Sequence, residues 1–139
     1  MSYSRDIAIE FNHCDPAGIV FYPRYFEMTN SVVENFFGRE IGYSFARIVA
    51  EGCGVPTVRI EVDFRAPSRL GDIIRIALTV VHLGTSSARV RQVSQCDGHV
   101  RFEAELTLVW VGRDGRAAPW PSQIRERLQT AIRAEGAQA

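Results

Sequence analysis

The sequence contains no lysine and only three cysteines, and its charges cancel. All sixteen basic residues are arginines, balanced by sixteen acidic residues, so the formal net charge at pH 7 is zero. A chain without excess charge has no global field to hold a nucleic-acid backbone or an anionic membrane, so neither is expected as a partner. Cys14, Cys53 and Cys96 form no C-x-x-C pair, which argues against a disulfide framework and a zinc site, and no bound metal is expected.

Targeting and membrane signals are also missing. The amino terminus carries charged Arg5 and Asp6 where a signal peptide would have its apolar stretch, and no run approaches the roughly eighteen apolar residues of a membrane helix. We therefore expect a cytoplasmic protein. Its 139 residues, 46% of them hydrophobic, fit one globular domain over residues 1–139, whose tail from about residue 134 is expected to fray.

Hydrophobic periodicity predicts the order strand, long helix, four strands and short helix. Apolar residues alternate from Ile7 to Phe11, which is typical of a half-buried strand. A helix of about fifteen residues is predicted from Tyr22-Pro23 to Phe37, because proline favours the first helical turn and Gly38 is a typical residue after a helix end. Alternation returns over 58–64, 74–80 and 100–110, and a fourth strand is placed between Ser87 and the turn residues Asp97-Gly98. Ile124, Leu128 and Ala131 or Ile132 mark the short terminal helix.

This order gives an α+β fold in which one helix packs against one antiparallel sheet. The broad apolar arc of the long helix predicts that it is deeply embedded. A single helix cannot cover both faces of a five-stranded sheet, and several apolar strand residues lie out of phase with the inner set. These residues, which predict a partner subunit, are Ile73, Val81, Leu83, Val109 and Val111.

The hairpin between the fourth and fifth strands needs a loop of defined length. A two-residue turn would place two arginines on the apolar face of the sheet. A three-residue loop over Cys96–Gly98 instead sets Arg91 opposite Glu103 and Arg89 opposite Glu105. The sequence therefore predicts a three-residue, bulged hairpin.

The segment from His13 to Pro23 concentrates polar, glycine and proline residues between the first strand and the long helix. Asp15-Pro16 alone is more typical of a turn than of catalysis. The neighbouring helix start changes this interpretation, because free backbone N–H groups and the positive end of the helix dipole can hold a developing oxyanion beside a carboxylate. Such a pair suggests acyl transfer.

The run Asp15–Tyr25, Asp-Pro-Ala-Gly-Ile-Val-Phe-Tyr-Pro-Arg-Tyr, resembles the active-site segment of the 4-hydroxybenzoyl-CoA thioesterases of the hotdog fold. The run Asp63–Asp72 resembles that family's corner between the second and third strands, and the element order agrees from about Arg5 to Val111. The resemblance implies a five-stranded antiparallel sheet wrapped around one long central helix, plus a short C-terminal helix. It also implies a homodimer that assembles to a homotetramer.

The activity implied by this resemblance is hydrolysis of an aromatic or similarly compact acyl-CoA to the free acid and CoA. Coenzyme A is then part of the substrate, and no separate cofactor is expected. A CoA-ester-binding protein without turnover and a hotdog dehydratase are the alternatives. Asp15 argues against passive binding, because a carboxylate contributes little to the binding of an anionic ligand.

By the same resemblance, Asp15 is the catalytic carboxylate, either as a nucleophile that forms an acyl-aspartyl anhydride or as a general base for water. The Tyr22 backbone N–H polarises the thioester carbonyl. Because Pro23 lacks an N–H, Tyr22 and the residues after Pro23 must supply the donors. The expected substrate-binding residues are His13, Gly18, Tyr25, Phe26 and Asn30.

Two of these assignments leave an alternative open. Asn30 interrupts the apolar stripe of the long helix, so it either faces the acyl pocket or is a buried residue satisfied by backbone groups. The turn made by Gly84, Thr85, Ser86 and Ser87 either contacts the pantetheine or phosphates of CoA or is an ordinary hairpin turn.

Overall fold

An antiparallel sheet of five strands forms the frame of the molecule in this computed structural model, which describes the backbone of residues 3–138 and the side chains of residues 3–134. The strands are β1 (Tyr3–Ala8), β2 (Thr57–Phe64), β3 (Ile73–Leu83), β4 (Ser87–Cys96) and β5 (His99–Val109). Their order across the sheet is β1-β3-β4-β5-β2, so β1 and β2 are the edges.

Three α-helices accompany the sheet: α1 (Arg24–Phe36), α2 (Phe45–Ala50) and α3 (Ser122–Gln138). A short 3-10 helix spans Phe11–His13, and a π-helical turn, Phe37–Ile41, follows α1 directly. Among residues 3–138 no helix is both long and apolar enough to cross a membrane.

Helix α1 packs one side against the inner face of the sheet. Met28, Val32 and Phe36 on that side are nearly inaccessible to solvent. Phe26, Glu27, Asn30 and Glu34 on its other side are exposed, so the helix is half covered by its own sheet rather than embedded all round. The prediction of a long helix against the sheet is confirmed.

The predicted end of this helix is wrong. The helical conformation does not end before Gly38 but continues through the π-helical turn. Gly42, in the left-handed conformation (φ 75°), ends this turn. The extra turn brings both Phe37 and Ile41 into the core. Helix α2, which the periodicity did not predict, is capped at its start by Ser44, whose hydroxyl accepts a hydrogen bond from the Arg47 N–H at 3.1 Å.

The first strand also differs from its prediction. It ends at Ala8, and Phe11 starts the 3-10 helix with its side chain 83% exposed. Ile9 is tied instead to the segment before β3, because its N–H donates to the Asp72 carbonyl at 2.7 Å and its carbonyl accepts from Gly71 at 3.0 Å. The 3-10 helix then begins at Phe11, so Phe11 does not extend the strand.

The β4–β5 hairpin has a two-residue turn, so the predicted three-residue loop is wrong. Asp97 and Gly98 both have positive φ, 53° and 76°, which is the mark of a type I′ turn, and Cys96 pairs with His99. The register shifts two residues further on, where Arg101 is the extra residue of a β-bulge. The bulge keeps the arginines off the apolar face.

The predicted ion pairs of this hairpin nevertheless form. Arg91 lies directly opposite Glu105 rather than Glu103, and Arg89 lies opposite Thr107. The long side chains reach diagonally, so Arg91 contacts Glu103 at 3.0 Å and Arg89 contacts Glu105 at 3.2 Å. The prediction of which charges share the outer face is confirmed.

Apolar residues remain exposed on both faces of the sheet. The inner-face residues Ile60 and Phe64 of edge strand β2 are 36% and 48% exposed, because α1 does not extend over them. On the outer face, Ile73 and Val81 are 61% and 46% exposed. Leu83, Val109 and Val111, the other residues of the out-of-phase set, are half-buried.

Helix α3 is longer than the predicted short helix, with 17 residues. It packs through Ile124 and Leu128, both fully buried. Its backbone continues to Gln138, past the point near residue 134 where fraying was predicted. The side chains of 135–138 and the whole of Ala139 lie outside the described residues.

Candidate active site

The loop that carries Asp15 is a short antiparallel arm, residues 13–21, that folds back on itself. Cys14 pairs with Val20, and the Asp15 N–H donates to the Ile19 carbonyl at 3.0 Å. The turn closes when the Gly18 N–H donates to the Asp15 carbonyl at 2.9 Å. Asp, Pro and Gly occupy the first, second and fourth positions that a type I turn favours, and Gly18 has a φ of 78°.

The Asp15 carboxylate is half-buried and only partly used by this turn. Its Oδ1 accepts a hydrogen bond from the Ala17 N–H at 2.9 Å. Within the described residues the carboxylate has no other hydrogen-bond partner, so Oδ2 is free to meet a substrate or a water molecule. The local contact fixes the orientation of the carboxylate without neutralising it.

The start of α1 offers one free backbone donor near this arm. Among the described residues the Tyr22 N–H donates no hydrogen bond. The N–H groups of residues 24–26 each donate to the carbonyl three residues earlier, at 2.9 to 3.1 Å. The expectation that residues after Pro23 supply donors is therefore not met, and Tyr22 alone remains available at the positive end of the helix.

A second segment, the corner formed by Arg65–Asp72 between β2 and β3, holds the arm in place. The Val20 N–H donates to the Ser68 carbonyl at 2.9 Å, and the Leu70 N–H donates to the Gly18 carbonyl at 3.0 Å. In this corner the Arg69 backbone N–H, helped by the Arg101 guanidinium, holds the pKa of Asp72 below its usual 3.8. The corner is thus a hydrogen-bonded support for the arm.

A cavity of about 270 Å³ opens where arm, corner and helix start meet. Tyr25 is buried at 5% exposure, and its ring lies 5.8 Å from that of Phe64. The Tyr22 ring packs edge-on against the same Phe64 at 5.9 Å. The lining is mostly apolar and consists of Ile19, Val20, Tyr22, Tyr25, Phe64, Arg65, Ala66 and Pro67.

Phe64 and the corner were not predicted as parts of the site. The alternation of β2 assigns Phe64 to the inner face, where a core role is the default interpretation. Its position at the end of an edge strand, which exposes it to the cavity, depends on the strand order. Sequence periodicity does not contain that order.

His13 and Gly18 have structural roles in this arrangement. The His13 Nδ1 accepts a hydrogen bond from the Glu10 N–H at 2.9 Å, so its ring closes the 3-10 helix instead of facing Asp15. Both backbone groups of Gly18 are engaged, the N–H with Asp15 and the carbonyl with Leu70. Neither residue lines the cavity.

Phe26 and Asn30 lie on the uncovered side of α1 and do not line the cavity. Phe26 contacts the site only through Tyr22, whose ring is 6.5 Å from its own. Asn30 is exposed, so neither of its two predicted positions, in the pocket or buried in the core, is found within one protomer.

The turn from Gly84 to Ser87 lies at the other end of β3 from the Asp15 arm. At about 3.3 Å per residue, this strand separates the two by roughly 30 Å. All four carbonyls of the turn are occupied, among them that of Gly84 by the Arg125 guanidinium at 2.9 Å and that of Thr85 by the Trp120 N–H at 3.1 Å. Within one protomer the structure does not bring this turn to the site.

The fold places the protein in a class with known enzymes. A gentisyl-coenzyme A thioesterase superimposes with a TM-score of 0.85 at 25% identity, over 91% of this chain and 99% of that one. The 4-hydroxybenzoyl-CoA thioesterase from Pseudomonas sp. strain CBS-3 gives a TM-score of 0.83 at 27% identity, over 91% and 98%. A thioesterase from Thermus thermophilus, solved with coenzyme A and Zn, gives 0.79 at 28%, over 93% and 92%.

The family itself follows from the sequence match. Residues 9–128 match the thioesterase-like superfamily, and the chain belongs to it. It has the hotdog thioesterase fold and is a thioester hydrolase. No curated protein matches the chain.

Proposed function

We propose that this protein hydrolyses the thioester of an aromatic or similarly compact acyl-CoA, with Asp15 as the catalytic carboxylate and the Tyr22 N–H as the oxyanion donor. One observation carries the proposal: the aromatic-lined cavity is bordered by Tyr22, whose N–H is unpaired among the described residues, and by Ile19 and Val20 of the arm that carries Asp15. Asp15 itself does not line the cavity, but its Oδ2 has no hydrogen-bond partner among the described residues. A reacting carbonyl needs both groups, one to deliver oxygen to its carbon and one to stabilise charge on its oxygen.

Two reaction courses use the same two groups. As a general base, Asp15 removes a proton from water, the hydroxyl oxygen bonds to the carbonyl carbon, and the C–S bond breaks to release CoA thiolate, which takes up a proton. As a nucleophile, an Asp15 oxygen bonds to that carbon and expels the thiolate, and water then hydrolyses the anhydride. In both, the carbonyl oxygen becomes negative in the tetrahedral intermediate and accepts the Tyr22 N–H.

The cavity supports the assignment of an aromatic or compact acyl group. Its volume of about 270 Å³ suits a single ring, and the rings of Tyr22, Tyr25 and Phe64 offer it edge and face contacts. Two similar proteins act on gentisyl-CoA and 4-hydroxybenzoyl-CoA. Coenzyme A enters as part of the substrate, and the proposed steps require no separate cofactor.

A panel of thioesters tests this assignment. We expect kcat/KM, measured as thiol release, to be higher for benzoyl- and hydroxybenzoyl-CoA than for palmitoyl-CoA, by up to about tenfold from ring contacts alone. Butyryl-CoA is the control for size without aromaticity. A preference for palmitoyl-CoA would contradict the compact cavity.

We also propose that the active form is at least a dimer, with tetramers as the larger assembly. The inner face of edge strand β2 exposes Ile60 and Phe64, and Phe64 is part of the cavity wall, so a second copy over this edge would complete the site. Light scattering at micromolar concentration is expected to give twice or four times the chain mass. A monomer would contradict this proposal.

A further inference from the structure

We propose that Arg101 is a positioning residue for Asp15, acting by locking the Arg65–Asp72 corner that supports the Asp15 arm and one wall of the cavity. The inference rests on the proposed function, because it assumes that the orientation of Asp15 limits turnover. It assigns a role to a residue of β5 that does not itself line the cavity.

The side chain of Arg101 is directed at the corner by an irregularity of the sheet. Arg101 is the extra residue of the β5 bulge, between Val100, which pairs with Gln95, and Phe102, which pairs with Ser94. A bulge breaks the alternation of side chains and can direct one residue away from both regular rows. The neighbouring outer-face arginines, Arg89 and Arg91, instead point to glutamates of β5.

One guanidinium nitrogen of Arg101 holds three groups of the corner. Its Nη1 donates to the Pro67 carbonyl at 3.0 Å, the Ser68 hydroxyl at 3.3 Å and Asp72 Oδ2 at 2.9 Å. Its side chain is 12% exposed and that of Asp72 is 25% exposed, so solvent screens this pair less than the outer-face pairs. Asp72 Oδ2 also accepts the Arg69 N–H at 2.8 Å.

The backbone of Arg101 fixes the beginning of the same corner. Its carbonyl accepts hydrogen bonds from the Arg65 N–H at 2.8 Å and the Ala66 N–H at 3.2 Å. Arg65, Ala66 and Pro67 form one wall of the cavity. The side chain and the backbone of one residue therefore hold the corner from its first residue to its last.

A series of hydrogen bonds leads from this corner to the backbone of Asp15. Ser68, fixed by Arg101, accepts the Val20 N–H through its carbonyl, and Leu70 donates to Gly18. The Gly18 N–H and the Ile19 carbonyl in turn bind the backbone of Asp15. Without the guanidinium, the corner loses three contacts and the arm loses the rigidity of its support, while Asp15 keeps its own local turn.

The activity test compares Arg101→Met, Arg101→Lys and the control Arg89→Met, which removes an arginine of β4 whose partner is Glu105 on the outer face. We expect Arg101→Met to lower kcat roughly tenfold, as small misplacements of a reacting group do. Arg101→Lys should recover a large part of it, because one nitrogen makes all three contacts, and Arg89→Met should stay within twofold of the natural protein. In an Asp15→Asn background, adding Arg101→Met should lower kcat by less than twofold, because the effect of Arg101 passes through Asp15.

Hydrogen exchange measured by mass spectrometry gives a readout independent of activity. Arg101→Met should speed amide exchange in peptides covering 13–22 and 65–72 and leave those from β3 and β4 unchanged. Three outcomes would overturn the proposal. They are a kcat of Arg101→Met within twofold of the natural protein, a loss of kcat of the same size in the Asp15→Asn background, and amide exchange that rises uniformly along the chain. Full activity of Asp15→Asn alone would refute the proposed function, while the exchange result would still decide whether Arg101 holds the arm. If Arg101→Met does not fold, Arg101→Gln, which also lacks the guanidinium, carries both measurements with the same expected losses.

Discussion

Two aspartates of this protein make the same side-chain contact within a turn, at different positions of that turn and in different surroundings. In one, the Ala17 N–H donates to Asp15 Oδ1 at 2.9 Å, and in the other the Arg116 N–H donates to Asp114 Oδ1 at 3.0 Å. Each turn sits in a short antiparallel arm, closed by the bridges Cys14–Val20 and Val111–Ala117. Each contains a glycine with nearly the same positive φ, 78° at Gly18 and 79° at Gly115.

Their surroundings differ in three ways. Asp15 is half-buried, whereas Asp114 is exposed. The Asp15 arm is bound by the Arg65–Asp72 corner and leads directly into the start of α1, where the Tyr22 N–H is unpaired among the described residues. The Asp114 arm is followed by a stretch that reaches α3 only at Ser122.

Under the proposed function, turn chemistry and site chemistry are compatible at Asp15. Asp15 serves its turn through Oδ1, as Asp114 does, and its Oδ2 is the oxygen that we propose acts on the substrate. The turn fixes the orientation of the carboxylate, and the Asp15 arm, unlike the Asp114 arm, leads directly into a helix start. A substitution at each member of the pair should therefore have similar local effects and different functional ones.

The largest difference is expected for the carboxylates themselves. Asp15→Asn preserves the acceptor for the Ala17 N–H but removes the charge, so it should lower thioester turnover by a factor on the order of 10² to 10⁴, the range for loss of a positioned acid or base. Asp114→Asn makes the same chemical change in the matching turn and should leave kcat unchanged. Thiol release under saturating substrate measures both, and near-full activity of Asp15→Asn would end the assignment.

The second difference is expected for the two glycines. A Cβ added at Gly18 or Gly115 would meet no atom within 4 Å, so the cost of alanine at either position is that of the left-handed backbone alone, about 1 kcal/mol. Gly18→Ala should also lower kcat roughly tenfold, because strain in its turn displaces Asp15. Denaturant unfolding together with kcat separates the two effects, and equal activity of both variants would show that the Asp15 turn tolerates displacement.

The arm and its carboxylate could be predicted from the sequence because both depend on neighbours along the chain. Asp, Pro and Gly at their turn positions, and proline at the start of α1, act within a few residues. The same holds for the alternation of β2 and β3 and for the ion pairs of Arg89 and Arg91, which long side chains form even though the register differs from the predicted one.

The features that could not be predicted from the sequence depend on contacts between residues distant along the chain. The bulge at Arg101, the π-helical turn that buries Phe37 and Ile41, and the exposure of Asn30 all follow from how α1 and the sheet meet. The edge position of β2, which turns Phe64 toward the cavity, follows from strand order. The expectation that the Gly84–Ser87 turn contacts CoA rests on its composition, which carries no information on the distance of the turn from Asp15.

The smallest expected effect is a pH dependence of stability. It comes from Asp72 in the corner that supports the Asp15 arm. In the corner, the Arg69 N–H and then the Arg101 guanidinium hold the pKa of Asp72 below the ordinary value of 3.8. A carboxyl whose folded-state pKa lies below its unfolded value stabilises the protein fully above that unfolded value, and the contribution disappears as the pH falls through the lower, folded value. Asp72→Asn should therefore reduce the free energy of unfolding at pH 6, by about 1 kcal/mol or less for a partly exposed pair. The difference in this free energy between the variant and the natural protein should become smaller as the pH is lowered below 3.8.

Denaturant unfolding of both proteins at pH 6 and at pH 3 measures this change in the difference. A difference of equal size at both pH values would mean that the Asp72 charge does not contribute to the hold on the Asp15 arm, and that the hydrogen bonds of the corner, which asparagine can partly reproduce, are sufficient.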